Sequence, residues 1–167
     1  TKTYHEVSDN DYSIIFGYNV HDSGRYGVVE FDNNFNAVSI EEKPEQPKSN
    51  YAIVGLYFYK NDVISLAKNV KPSQRGELEI TTVNQEYLKQ NRLKVKLLDS
   101  VFWLDTGTHD ALADATNFIK TVETREGKRI SCLEEIAYKY NYINDKQLND
   151  IIRTYDNEYG EYLKTLL

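Results

Sequence analysis

Methionine is absent from the 167 residues, and there is one cysteine, one tryptophan and three prolines. A lone cysteine, Cys132, cannot close an internal disulfide, which excludes a disulfide framework and a cysteine-rich zinc site. A reducing, cytoplasmic setting is therefore the default expectation. No apolar run approaches the ~20 residues that a membrane-spanning helix needs, so no membrane partner is expected. The first residues, Thr1-Lys2-Thr3-Tyr4-His5-Glu6, carry neither the apolar stretch of a signal peptide nor an initiator methionine. The chain is accordingly expected to be a processed product or a piece of a longer one. Basic residues are in deficit, 20 against 26 acidic, for a net charge of −6. That balance argues against general nucleic-acid binding, which needs a basic footprint. It leaves phosphate binding open, because a few well-placed cations suffice. The three histidines, His5, His21 and His109, show no metal-ligand spacing and no nucleophile partner. The eight glycines are well separated, with no Gly-Gly pair and no Gly-x-Gly.

What is present reads as globular: 40% of residues are hydrophobic and 28% charged. A single domain of this length can bury about 70% of the surface its unfolded chain exposes. Tyrosine dominates the aromatics, 14 against 6 Phe and 1 Trp. Its apolar body and polar tip suit the wall of a polar-ligand cleft, although half-buried packing is the ordinary use.

Periodicity predicts strands at 13–20, 26–31 and 37–43, the last two forming a hairpin across Asp32–Asn36. Tyr51–Tyr59 is apolar on both parities and is predicted to lie centrally in a sheet covered on both faces. Asn61 is expected to cap a helix to Asn69 with Val63, Leu66 and Ala67 inward, and Leu78–Gln90 to form a second. Leu93–Leu98 alternates like an edge strand. Thr108 is expected to cap a long helix that ends near Glu126 at Gly127. Ser131-x-x-Glu134 fits a capping box, and Asn144 opens a further helix with Leu148, Ile151 and Ile152 on one stripe. Together these predict an α/β layer followed by a helical C-terminal appendage, divided into residues 1–127 and 128–167.

Four segments carry residues suited to chemistry. Arg25-Tyr26-Gly27 places a glycine at a strand start, where a ligand can approach the backbone; a turn glycine is the ordinary reading. Glu41-Glu42-Lys43-Pro44 ends a strand with Glu42 on the face opposite Glu41 and Lys43. There a carboxylate can accept paired sugar hydroxyls and an ammonium can bind phosphate, although a solvated charged strand end uses the same letters. In Ser73–Thr81, Arg75 precedes a helix start, a place that favours anions. Glu77 and Glu79 there read equally well as acidic residues answering the helix dipole. In Phe102-Trp103-Leu104-Asp105-Thr106-Gly107-Thr108, Asp105 stands in a strand-to-helix loop, where a carboxylate suits Mg²⁺; aspartate in loops is otherwise common.

No segment decides the chemistry alone. In order, however, Arg-Tyr-Gly-Val-Val-Glu-Phe, Glu-Glu-Lys-Pro, Gly-Leu-Tyr-Phe-Tyr, Arg-Gly-Glu-Leu-Glu-Ile-Thr and Trp-Leu-Asp-Thr-Gly-Thr closely resemble the glucose-1-phosphate thymidylyltransferases, from about Ser13 to the C-terminus. The resemblance implies part of a Rossmann-like nucleotidyltransferase mixed sheet. It implies transfer of a nucleotidyl group from dTTP to glucose-1-phosphate, on the route to dTDP-rhamnose. Tyr26, Gly27, Glu42, Lys43, Ile53, Tyr57 and Trp103 would then line the sugar-phosphate site. Lys43 and Arg75 would hold the phosphate, and Asp105 would be one of two carboxylates on Mg²⁺. It further implies homotetramers, and a regulatory nucleotide site near Glu134-Glu135-Ile136-Ala137-Tyr138.

The departures matter as much. The family's Gly-Gly-x-Gly-Thr-Arg loop, which binds triphosphate and base, has no counterpart here. Nor does the Asp-Asn pair that bears the second metal carboxylate, because Asp9-Asn10 follows no apolar strand. Thr82 replaces a usual Asp on what is expected to be helix surface. The chain therefore reads as the sugar-phosphate and C-terminal part, inactive alone, and with strands such as Tyr51–Tyr59 expected to expose an edge or a face. A UTP-dependent pyrophosphorylase and a non-catalytic sugar-phosphate-binding module stay open as alternatives.

Overall fold

The computed structural model describes residues 2–99 and 101–167, the side chain of Lys2 aside. The chain divides after Trp103 into two compact units, Thr1–Trp103 and Leu104–Leu167.

The first unit is built on a mixed five-stranded sheet: β1 (Ser13–Asn19), β2 (Gly27–Phe31), β3 (Ala37–Glu42), β4 (Tyr51–Phe58) and β5 (Leu93–Leu97), in the order β3-β2-β4-β1-β5. β1 pairs antiparallel with β4 and parallel with β5, and β2 pairs antiparallel with β3 and β4. This bears out the α/β class, the hairpin and the edge position of Leu93–Leu97. Successive side chains point to opposite faces, so the sheet separates two cores. Ile15, Val29, Ile40, Val83, Tyr87, Leu93 and Val95 are buried on one side, where α2 (Val63–Lys68) and α3 (Ile80–Lys89) pack. Val7 of α1 (Lys2–Asp9) joins Ile14, Phe16 and Val54 on the other.

β4 is internal to the strand order, but it meets β2 only at the pair Val28 and Ala52, so most of its length lacks a strand partner on that side among the described residues. On one face of β4 Ala52 and Val54 are buried but Leu56 is 44% exposed, and on the other Ile53 and Tyr57 are half-buried. The eight-residue α1 follows the same rule as any short helix: at 1.5 Å per residue it reaches only about 12 Å along the sheet.

Two cap assignments are corrected. Asn61 does not cap α2; Asp62 occupies that position, with no side-chain cap bond. The Asp62 carboxylate is taken instead by the Tyr87 hydroxyl at 2.6 Å and Arg92 Nη1 at 2.8 Å. Ala67 is exposed, and only Val63 and Leu66 pack inward. α3 starts two residues later than expected, leaving Leu78 68% exposed.

The second unit holds α4 (His109–Glu126), α5 (Leu133–Lys139), α6 (Asp145–Ile152) and α7 (Glu158–Lys164). Thr108 Oγ1 accepts from the Ala111 amide, and Gly127 ends α4 in the left-handed region at φ 63°. The expected Ser131/Glu134 capping box does not form, because Cys132 is the N-cap of α5 and makes no side-chain cap bond. Glu134 accepts instead from the hydroxyls of Tyr159 at 2.5 Å and Tyr155 at 3.3 Å. The capping box of this unit is Asn144 with Gln147, at the start of α6. Cys132, Leu148, Ile152 and Leu163 form the core that α5, α6 and α7 share. Among the described residues no helix is long and apolar enough to cross a membrane.

Glu135, also in the first turn of α5, makes an ion pair with Lys139 and accepts from the Tyr162 hydroxyl, both at 2.5 Å. The Lys139 ammonium, then the Tyr162 hydroxyl, hold its carboxyl below the usual 4.5. The stabilisation is complete above that usual value and is lost as pH falls through the lowered one. Glu135→Gln should therefore narrow the gap between the melting midpoints of the helical unit at about pH 7 and about pH 3, read by circular dichroism.

Candidate functional site

The register of the β2–β3 hairpin sets Gly27 opposite Glu42. A Cβ on Gly27 would stand 3.2 Å from Thr81 Oγ1, 3.3 Å from Glu42 Oε2 and 3.8 Å from Ile53 Cδ1. The missing side chain thus lets the Thr81 and Glu42 oxygens pack directly against the strand, where a Cβ would crowd them. Thr81, in the first turn of α3, donates its hydroxyl to Glu42 Oε2. Lys43 closes the hairpin: its amide donates to the Tyr26 carbonyl at 3.0 Å, and its φ is +44°. That conformation is strained for a lysine, and such strain persists only where the surroundings impose it. The Lys43 side chain is exposed, and its ammonium makes no ion pair among the described residues.

Arg75 reaches the same place from the loop before α3. Its Nη1 lies 4.0 Å from Glu42 Oε1 and 3.5 Å from Glu79 Oε1, and its Nη2 3.1 Å from Glu77 Oε2. Glu77 and Glu79 therefore serve the arginine rather than the helix dipole alone. At 44% exposure these pairs are weak and exchangeable, which leaves the guanidinium available to an incoming anion. Glu42, Ser73, Arg75, Glu79, Thr81 and Gln85 line an open cleft of about 310 Å³. Tyr57 is half-buried beside it, and its phenol is pushed up first by burial and then by the Glu42 charge.

An aromatic group stands at the start of the hairpin. Trp103 meets Tyr26 edge-on at 5.2 Å and Tyr18 at 5.8 Å, and the Arg25 guanidinium lies 5.8 Å over the Tyr26 ring. Among the sequence-predicted residues, Glu42 and Arg75 line this cleft, and Gly27 and Ile53 lie close to one another beside Glu42. The first unit also sets Tyr57 beside Glu42, packs Tyr26 on Trp103, and holds Lys43 at the hairpin end.

Asp105 belongs to the second unit. It is partly exposed, and its Oδ1 accepts from the Gly107 amide at 3.3 Å, which fixes the loop before α4. That bond engages one of the two carboxylate oxygens. Among the described residues no three His, Cys, Asp or Glu side chains gather as a metal site. Thr81 and Gln85 were not singled out from sequence. The available signal was the position of Thr81, on the first turn of the helix that follows Arg75, because helical side chains lean back toward the N-terminus.

Against known proteins, the sequence profile of the family described as Nucleotidyl transferase matches residues 2–122. A glucose-1-phosphate thymidylyltransferase of Neisseria meningitidis is 50% identical over 157 residues, which are 93% of this chain and 54% of that protein. Its counterpart in Mycobacterium tuberculosis is 52% identical over 155 residues, 92% of this chain and 54% of that protein. The chain thus spans about half the length of the curated relatives it matches. A crystal structure from Bacillus anthracis, described as a glucose-1-phosphate thymidylyltransferase with sucrose, aligns with TM-score 0.60 at 40% identity over 68% of this chain and 46% of that one. A UDP-glucose pyrophosphorylase bound to UDP-glucose aligns with TM-score 0.62 at 23% identity over 72% and 47%, a likeness of fold alone.

Proposed function

Because the chain belongs to the nucleotidyl transferase family, we propose that it supplies the sugar-phosphate side of a glucose-1-phosphate thymidylyltransferase. The observation that carries this reading is the Glu42 carboxylate, which lines the cleft with the Arg75 guanidinium and lies against the Gly27 backbone. This chemistry matches a hexose carrying one phosphate. Glu42 can accept two sugar hydroxyls, and Gly27 lets the ring approach the backbone. Arg75 and Lys43 balance the phosphate charge. Ile53 and Tyr57 offer the apolar wall that a sugar ring packs on, and Trp103 holds Tyr26 at the entrance.

In the reaction, a phosphate oxygen of glucose-1-phosphate attacks the α-phosphorus of dTTP. A P–O bond forms, the bond to pyrophosphate breaks, and dTDP-glucose results. The work of these residues is positioning and charge balance. Lys43 and Arg75 hold the nucleophile in line and reduce its repulsion from the triphosphate. Asp105, with one carboxylate oxygen free of the Gly107 amide, fits as a ligand of Mg²⁺. A bound divalent cation would supply charge neutralisation on the phosphates. The match to residues 2–122 supports assigning residues 1–127 to the transferase domain and 128–167 to a helical segment. The reading extends to a cytoplasmic homotetramer.

Titration of glucose-1-phosphate into this chain tests the proposal. Binding is expected, and Lys43→Ala should weaken it about 10- to 100-fold, the worth of one charge-assisted contact to phosphate. A folded chain that takes up no glucose-1-phosphate, or takes it up equally well without Lys43, would sink the assignment.

A further inference from the structure

Three tyrosines run from the cleft into the core. The Tyr57 and Tyr59 rings stack at 5.5 Å and 9°, and Tyr59 stacks on Tyr87 at 5.5 Å and 15°. The inner end is anchored: the Tyr87 hydroxyl donates to Asp62 Oδ1 at 2.6 Å, and the Arg92 guanidinium lies 5.5 Å over the ring while bonding Asp62 and Asp11. The middle ring is anchored separately. Tyr59 donates its hydroxyl to Asn84 Oδ1 at 2.5 Å.

Asn84 is unusual for its place. It is fully buried beside the core residues Val83 and Tyr87, and its Nδ2 has no hydrogen-bond partner among the described residues. An unsatisfied buried amide is costly, and an apolar residue of the same size would avoid the cost. What the asparagine does provide is a fixed acceptor for Tyr59. Thr81, Asn84 and Tyr87 follow one another at i, i+3 and i+6 along one side of α3. Through them a single helix face holds the Glu42 carboxylate, the Tyr59 hydroxyl and the end of the stack.

Resting on the sugar-phosphate reading above, we propose that Asn84 and Tyr59 are positioning residues for the hexose. The Asn84–Tyr59 bond aims the Tyr57 ring and ties it to the same rigid helix that sets Glu42, so the apolar wall and the hydroxyl acceptor keep a constant separation. Neither residue touches the ligand. Their loss loosens recognition of the sugar and leaves the phosphate cations unaffected.

The test is calorimetry on this chain with glucose-1-phosphate and, separately, inorganic phosphate, alongside thermal melts. The variants are Asn84→Leu, Tyr59→Phe, their double, and Lys43→Ala. Expected are a roughly five- to thirtyfold weaker affinity for glucose-1-phosphate in each single variant, the loss of one aligned hydrogen bond. The double should be no weaker than either single, because both remove the same bond. Affinity for inorganic phosphate should be unchanged, and the Asn84→Leu midpoint should not fall. Wild-type affinity for glucose-1-phosphate in Tyr59→Phe and Asn84→Leu, with Lys43→Ala impaired, would overturn this inference and spare the sugar-phosphate reading. Equal losses toward both ligands would also overturn it, since they mark general damage to the fold. An unaltered Lys43→Ala would overturn the sugar-phosphate reading itself.

Discussion

Joined to the part of its relatives that it does not span, the chain should form dTDP-glucose from dTTP and glucose-1-phosphate. Asp105→Ala in that joined enzyme should lower kcat about a thousandfold. The estimate rests on charge. Metal stabilisation of transferring phosphates is worth several kcal/mol, and about 4 kcal/mol is three decades in rate. Asp105 suits the role because its loop is already set by the Gly107 amide and by Thr108 at the start of α4, so the carboxylate need not be ordered on binding. The loss should fall on kcat, with the affinity for glucose-1-phosphate changed little, because the sugar contacts proposed above are those of Glu42, Gly27 and Tyr57. Steady-state kinetics on the purified enzyme would show this split. A drop confined to KM would move Asp105 from the reacting phosphates to substrate binding. Retained turnover would remove it from the site.

The largest stability effect is expected at Leu148. It is completely buried at the centre of the small core shared by α5, α6 and α7. Leu148→Ala removes that contact and leaves a cavity, at a cost of about 2–5 kcal/mol. A unit of this size has little more in total, since folded domains hold roughly 0.05–0.15 kcal/mol per residue. Hydrogen exchange should show the amides of α5–α7 losing protection about 30- to 5,000-fold, while those of β1 and β4, whose core includes Ile14, Ile15 and Val54, keep theirs. Equal loss in the sheet would show that the two units unfold as one. No loss in the helices would show that Leu148 is not the keystone its burial indicates.

Much of this architecture is legible in the letters. The strands at Ser13, Tyr51 and Leu93 and the β2–β3 hairpin follow from period and turn chemistry. So do the Thr108 cap and the Gly127 stop, because each needs only a few adjacent residues. The failures share one cause. Asn61, Ser131 and Glu134 are locally good cap residues, but caps are won by whichever donor arrives. Asp62 is held by Tyr87 and Arg92, and Glu134 by Tyr155 and Tyr159, partners 21 or more residues away. The cleft divides in the same way. The motifs name Glu42, Lys43 and Arg75, but nothing local says that Thr81 bonds Glu42, or that Glu77 and Glu79 attend Arg75.

By itself, then, the sequence determined the residue types available to bind a sugar phosphate, the strands and helices that carry them, and the family, since these rest on local period and on ordered motifs. Only the tertiary structure decided that Gly27 faces Thr81 and Glu42, and that Tyr57, Tyr59 and Tyr87 form one stack. It also decided that a buried asparagine is spent on aiming one of them. Those contacts join segments up to 54 residues apart, as between Gly27 and Thr81. They are set by sheet register and helix packing, which no window of sequence contains.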